Sequence, residues 1–444
     1  MKKLLIIFCL CTTLYSNAQL TWDRTYSSHC ANSIVQTYNN EYVYGGAKYY
    51  SMLQEWNITR LNPSGDIIHD STFCHGNDGR VCCINNTSDS GYIVLGQDTS
   101  VWVLRYDKND HLLWNKYLLT SLAEPMDLVS INNGHIIVGR YYTANMIYDL
   151  FIIRINDQGD TVWTKRFNNG PFAEGTAIIQ AYDSGYICIC NKENGSWLYK
   201  INEQGDSLWT KRISFYDFDR GTTICKTNDS CYIIGGNNSG CLFFTKADKN
   251  GNVIWTKLYI DPDHFFNEFY CHKIIQTFNN RYIAACEGLV YHIHYTDTYA
   301  RIIRLDSNGD STRYLRPSFP SGAEDIIPTT DSMFVFSGYK VGKAWVVKSD
   351  SIFDFTVGLP EKTEKVKFEN YPNPFSTYTT FRFNDRTSIE GTLRIYDMLG
   401  NLIFTTKLRN QNNYEYFPDN LNSGVYFYEI FIKDNLYRGK MIKQ

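Results

Sequence analysis

The sequence predicts an all-β protein: a seven-bladed, four-stranded β-propeller closed by its N-terminal strand, followed by a small C-terminal immunoglobulin-like β-sandwich. Three observations predict it. A segment of the type Gly-Tyr-Ile-Val-x-Gly recurs seven times, at intervals of roughly fifty residues, and a fixed period of that size marks a repeat architecture. Aromatic residues make up 16% of the chain, with 34 Tyr, and flat rings suit pleated, half-buried surfaces. Ahead of the first repeat lies a Trp-bearing strand, Leu20-Thr21-Trp22-Asp23-Arg24-Thr25-Tyr26, that belongs to no complete blade of its own.

The elements follow in order. Lys2-Lys3, an apolar run over 4–14 and the small residues Ser16 and Ala18 have the layout of a signal peptide over 1–18, too short to span a bilayer. Residues 19–355 are assigned to the propeller. The recurring segment, at 41–46, 91–96, 134–139, 185–190, 231–236, 281–286 and 332–338, is the second strand of each blade. A short apolar strand precedes it, at 33–37, 81–85, 127–131, 177–181, 222–226, 273–277 and 325–329. An aromatic-aliphatic strand ending in Lys or Arg follows, for example at 102–107 and 151–156. After an Asn/Asp/Gly turn comes a fourth strand with Trp, at 112–117, 161–167, 207–213 and 253–259, with weaker copies at 66–73 and 310–315. The seventh copy stops after its third strand, 344–348. The strand at Trp22 completes it and removes two exposed sheet edges at once. A connector over 356–366, with Gly358 and Pro360, leads into a last β-rich domain at 367–444.

Composition excludes several classes. Net charge is −3, without a long block of one sign, so no nucleic-acid partner is expected. No later run of eighteen apolar residues suggests a transmembrane segment. No cofactor motif is present, and the expected cofactor set is none. Eleven of the 13 cysteines lie beyond residue 18, none in a Cys-x-x-Cys motif. Cys188 and Cys190 alternate on one strand and read as small core residues; Cys225 and Cys231 flank a hairpin turn and are expected to be cross-strand neighbours.

The tail carries four linked motifs: Tyr371-Pro372-Asn373-Pro374-Phe375, Ile395-Tyr396-Asp397-Met398-Leu399-Gly400, Leu421-Asn422-Ser423-Gly424-Val425-Tyr426 and Gly439-Lys440-Met441-Ile442-Lys443-Gln444. In this order and spacing they resemble the C-terminal sorting domain of type IX secretion cargo from Bacteroidota. The resemblance implies the type IX secretion machinery as partner, with passage through the periplasm to a secreted or outer-membrane surface location. It implies Pro372, Asn373, Pro374, Gly400, Gly424 and Tyr426 as residues that machinery depends on. Gly and Pro there also serve as turn formers.

Within the propeller, the loops before the first strand and between the second and third vary in length, and function sits on variable loops held by a rigid scaffold. They carry the candidate ligand-binding residues Tyr141, Tyr142, Tyr216, Phe218, Phe265, Phe266, Tyr291 and Tyr295, with Asp217, Asp219, Asp261, Asp263, Glu268 and Asp297 nearby. Rings beside carboxylates suit a glycan, whose apolar face stacks on a ring while acids take its hydroxyl hydrogens. They equally suit a surface-protein ligand. The expected function is therefore a secreted or cell-surface binding protein. One alternative is a polysaccharide-acting hydrolase or lyase using Asp217/Asp219 or Asp261/Asp263; another is a structural matrix or adhesion protein. No catalytic motif stands out. His292-Ile293-His294 sets two imidazoles on one face, but no third ligand has a diagnostic spacing, so no metal is expected. The turn Asn156-Asp157-Gln158-Gly159-Asp160 and its copies read as hairpin turns rather than calcium loops.

Overall fold

The computed structural model describes residues 20–349 and 368–444, except 51–52, 74–78, 99, 120–121, 144–146, 169–171, 215, 218, 239, 261–267, 293–295, 316–320, 384–388, 398–401, 412, 419–420 and 433–434. The signal-peptide and connector expectations, and Gly400, lie outside the described residues. The chain divides into two compact units, Met1–Leu359 and Pro360–Gln444. The described residues are all strand and turn, and no helix among them is long and apolar enough to cross a membrane.

The first unit holds seven four-stranded antiparallel sheets. Blade one runs Cys30–Gln36, Tyr42–Tyr50, Leu53–Leu61, Ile67–Phe73 from its innermost strand outward. Blades two to six repeat that order, and Leu20–Tyr26 completes blade seven by pairing with Lys343–Ser349, Tyr26 opposite Ala344. The innermost strands touch their neighbours around a closed ring. Second and third strands are covered on both faces: Tyr92 to Leu95 are all buried. Hence the repeat reads as a continuous apolar run, whereas the outermost strands alternate. Apolar clusters lie between blades; Trp56 and Ile58 of blade one pack with Val81, Val94 and Trp102 of blade two.

Two devices, one between blades and one within each blade, explain repeated motifs. The outer-strand Trp packs on the glycine of the next blade's turn. A Cβ on Gly159 would come within 2.9 Å of the Trp114 ring, and one on Gly205 within 2.9 Å of Trp163. Trp114 and Trp163 donate their ring N–H to Asp157 O and Glu203 O at 2.9 and 3.1 Å. Two residues on, Lys116 reaches Asp160 at 2.5 Å and Lys165 reaches Asp206 at 2.9 Å. Asn156 Oδ1 meanwhile accepts the Gln158 and Asp160 amides. These turns are blade-to-blade latches. On the opposite hairpin, Asp89, Asp183, Asp229 and Asp331 receive Arg105, Lys200, Lys246 and Lys348 from the third strand of the same blade.

The innermost strands begin about three residues earlier than the apolar pattern suggests. Each carries a β-bulge, between Ala31/Ser33, Val81/Cys83, Pro125/Asp127, Gly175/Ala177, Gly221/Thr223, Cys271/Lys273 and Ala323/Asp325. An extra residue breaks the period-two alternation, which hides the first turn of the strand from a pattern search. The expected pairing of Cys225 with Cys231 is corrected: Cys225 faces Ile233, because the hairpin register sets Lys226 opposite Tyr232 and leaves Cys231 in the turn. Cys188 and Cys190 are core residues as expected.

The second unit holds a three-stranded sheet of Phe368–Tyr371, Thr379–Phe383 and Asn413–Tyr416, and a four-stranded sheet ordered Leu402–Gln411, Ile389–Tyr396, Gly424–Ile432, Asn435–Lys443. Residues of both sheets, among them Phe381, Tyr416, Leu393, Ile395 and Ile430, share one core, as expected of an immunoglobulin-like sandwich.

Candidate ligand site at the mouth of the central channel

The seven bulges set one residue per blade against the channel: Asn32, Cys82, Met126, Thr176, Thr222, His272 and Glu324. The next residues form a second ring, Ser33, Cys83, Asp127, Ala177, Thr223, Lys273 and Asp325. Together they line a cavity of about 720 Å³ that also takes in His29, Arg80, Tyr339 and Gly342. Gly342 belongs to the loop between second and third strands of blade seven, so the cavity borders the variable-loop face.

Part of each ring is structural. Asn32 Nδ2 donates to Val81 O at 3.0 Å and Thr176 Oγ1 to Gly221 O at 2.7 Å, each a bond into the next blade. In the second ring Asp325 Oδ2 accepts Ser33 Oγ at 2.9 Å and the Ile34 amide at 3.0 Å, while Ser33 Oγ accepts the Ile84 amide at 3.1 Å. Asp127 takes the Ile178 amide at 2.9 Å and Thr223 that of Ile274 at 3.2 Å. This belt joins successive blades around the axis. Lys273 has no counterpart in the other blades. Burial opposes its charge, but Asp325 of the adjoining blade and Asp127 of blade three outweigh that and hold it firmly protonated.

Blades six and seven depart from the pattern. The His272 ring lies between two acids, with Nε2 3.3 Å from Glu287 Oε1 and Nδ1 3.2 Å from Glu324 Oε2. Tyr339 donates its hydroxyl to the other oxygen of Glu287 at 2.8 Å. Gly322 makes room for this, since a Cβ there would stand 2.3 Å from the Tyr339 ring and 2.7 Å from Glu287 Oε2. Burial disfavours the imidazolium, but the charges of Glu324 and Glu287 prevail and raise His272 to about 10. Glu287 is lowered, since the imidazole outweighs its burial; Glu324 is raised by burial first. One positive charge is thus shared unequally by two carboxyls. Burial also pushes Cys30 up to about 11 and raises Cys82 and Cys83, leaving these channel thiols protonated and unreactive. No spacing along the chain marks His272 and Glu287, which lie fifteen positions apart on different strands; the broken seven-fold repeat at the bulge is the signal the sequence carries.

On the rim, Glu124, Arg140, Glu174 and Arg220 form a chain of ion pairs, Arg140 to Glu174 at 3.2 Å. Arg140 also lies 5.3 Å from the rings of Tyr142 and Tyr148. Of the expected ligand-binding residues, Tyr142 is therefore tied to the channel rim. Tyr141 is stacked under Arg166 at 3.8 Å, and Tyr216 and Tyr291 are about half exposed at separate points of the loop face. Phe218, Phe265, Phe266 and Tyr295 lie outside the described residues, as do His294, Asp261 and Asp263. Asp217 pairs with Arg212 at 2.6 Å, and buried Asp219 is held by Asn238 and the Tyr216 amide, so these two acids brace a loop. His292 pairs with Asp297 at 3.1 Å.

In the tail unit, Asn373 Nδ2 donates to Lys440 O at 2.9 Å and its Oδ1 accepts the Ile442 amide at 2.8 Å. Phe375 and Gln444 are bonded backbone to backbone. Tyr426 donates to Asn422 O at 2.8 Å. The first and last motifs are one structural feature. Residues 369–444 match the family described as secretion system C-terminal sorting domain. The tail is a type IX sorting domain. No curated protein matches the chain.

Solved structures resembling the chain include the Pan2 WD40 domain of Neurospora crassa, at 9% identity and a TM-score of 0.51, covering 74% of this chain and 95% of that one. A protein of unknown function from Bacteroides caccae is similar at 12% identity and TM-score 0.43, over 62% of this chain and 93% of that one. The extracellular domain of a one-component system from Bacteroides thetaiotaomicron is similar at 12% identity and TM-score 0.47; the match covers 94% of this chain and 56% of that one. At such identities the Pan2 likeness speaks for the propeller fold alone. The protein is a propeller joined to a label for export, leading to secretion or cell-surface attachment.

Proposed function

We propose that the protein is an exported binding protein that takes a glycan at the channel mouth of its variable-loop face, carried across the outer membrane by its sorting domain. The observation that carries this reading is the cavity of about 720 Å³ at that face, within the size range of small-ligand sites. Its concavity favours a compact ligand over a flat protein surface. Its walls favour a polar one: Arg80, His272, Lys273, Asp127, Glu324 and Asp325 offer donors and acceptors of both signs, which suits hydroxyl groups. The Arg140–Tyr142–Tyr148 cluster on the rim supplies aromatic faces for a second sugar ring. Pro372, Asn373, Pro374, Gly424 and Tyr426 would act in delivery, and the hydrogen bonds of Asn373 across the two ends of the tail fit a recognition surface that needs both.

The test is a glycan-array screen of the full exported chain, with Tyr142→Ala and Lys273→Met as variants. Specific binding weakened tenfold or more by either change is expected. A blank array from folded protein would transfer the loop face to protein partners.

A further inference from the structure

We propose that His272, Glu287 and Glu324 hold a divalent transition-metal ion of the zinc type on the channel wall. The inference does not depend on the glycan reading, although His272 and Glu324 line the same cavity. The ligand atoms lie within 4.8 Å of one another. Ligands about 2.1 Å from a tetrahedral ion stand about 3.4 Å apart, and His272 Nε2 and Glu287 Oε1 are 3.3 Å apart, while Glu324 Oε2 lies 3.2 Å from the other ring nitrogen, Nδ1. One nitrogen and two oxygens are a donor set such ions accept.

Three features point beyond a chance ion cluster. First, Nε2 of His272 is buried and lacks an aligned hydrogen bond among the described residues, although Glu287 Oε1 is 3.3 Å away. A metal ion bound there takes the place of the Nε2 proton and so answers the same two carboxyls. Second, the Tyr339 hydroxyl at 2.8 Å orients Glu287 from its far oxygen and leaves the near one facing the ring. Outer partners of this kind fix metal-binding carboxylates.

Third, the repeat itself is broken here. At the bulge position other blades use Asn32 and Thr176 to bond the next blade, but blades six and seven supply His272 and Glu324, which face each other. At the place opposite the residue two before the bulge, the seven blades carry Ala47, Gln97, Arg140, Asn191, Asn237, Glu287 and Tyr339. The only acid of that ring is the one beside His272. Binding through Nε2 and Glu287 requires Glu324 to swing from Nδ1, a side-chain rotation at the edge of a roomy cavity. Three protein ligands then leave a position open toward that cavity.

The experiment uses the full chain, stripped with chelator and titrated with Zn²⁺ by calorimetry and with Co²⁺ by visible absorption. One ion per chain is expected. Glu287→Gln and Glu324→Gln should each weaken it tenfold or more, and His292→Asn should leave it unchanged. Gln keeps the shape of Glu, and melting curves without metal report whether each variant folds. Paramagnetic shifts of one histidine ring on adding Co²⁺ give a readout that needs no variant. Absence of stoichiometric uptake by wild-type protein, or uptake indifferent to both Gln changes, would overturn the assignment.

Discussion

The second strand of the blades places an aromatic at one position, Tyr42, Tyr92, Tyr186, Tyr232, Tyr282 and Phe334, but blade three places His135 there. His135 is 2% exposed; Nδ1 meets Ser130 Oγ at 3.2 Å, and Nε2 has no hydrogen-bond partner among the described residues. Burial, then the nearby Arg105 charge, lowers its pKa to about 4, with Asp89 opposing weakly. The folded ring is therefore neutral where the unfolded ring, near 6.5, takes a proton. The unfolded state binds more protons between those values, so stability is full above about pH 6.5 and is lost as pH falls toward 4. Two such pKa values give a loss of about 2 kcal/mol between pH 7 and pH 5, and about 3 kcal/mol by pH 4.

The assay is urea unfolding of the full chain, followed by Trp fluorescence at pH 7, 5 and 4, beside His135→Phe. Phe borrows the residue blade seven already uses. The variant should be at least as stable at pH 7 and should lack most of the acid loss. The raised carboxyls Asp127 and Glu324 act in the opposite direction but are common to both proteins and cancel in the difference. Paired surface acids such as Asp89, lowered to about 2, release their contribution mainly below the unfolded carboxyl range. Parallel pH curves for the two proteins would refute the reasoning.

Other consequences are as direct. Gly205 has φ of 80° and its Cβ would meet the Trp163 ring, so Gly205→Ala should cost about 2–3 kcal/mol, whereas Gly342→Ala, with nothing within 4 Å, should cost only its backbone strain of about 1–2 kcal/mol; melting temperatures of the pair check the difference. Asp325→Ala strands the Ser33 hydroxyl and the Ile34 and Ile326 amides and should cost about 3 kcal/mol or more, read by denaturant midpoint. Removing 20–26 bares the Lys343–Ser349 edge and should produce concentration-dependent aggregates in sedimentation that the full chain does not form. Deleting 367–444 should leave a folded propeller in the periplasm; normal extracellular recovery of the truncated chain would count against the sorting role.

Much of this was legible in the sequence because each blade repeats the same local problem. A strand covered on both faces must be apolar throughout, a latch needs Trp, Gly and Lys at fixed offsets, and a ring must close; each leaves a periodic trace. The orphan strand at Trp22 declared the closure for that reason. What left no trace was the inner ring. A bulge shifts the pattern by one residue, so Ala31 and Ser33 read as neighbours on a face they do not share in register. The aromatic loop residues were found by composition, but composition did not distinguish Tyr142, tied to Arg140 on the rim, from Tyr141, stacked under Arg166.

The sequence by itself determined the all-β class, the seven blades, their closure and the export label, because these rest on periodicity and on motifs contiguous along the chain. Only the tertiary structure decided where chemistry can occur. Closing the ring brings one residue from each of seven distant strands to a common axis, and His272, Glu287, Glu324 and Tyr339 meet there from two blades. No spacing along the chain encodes that meeting, since it depends on blade count, bulge and register together.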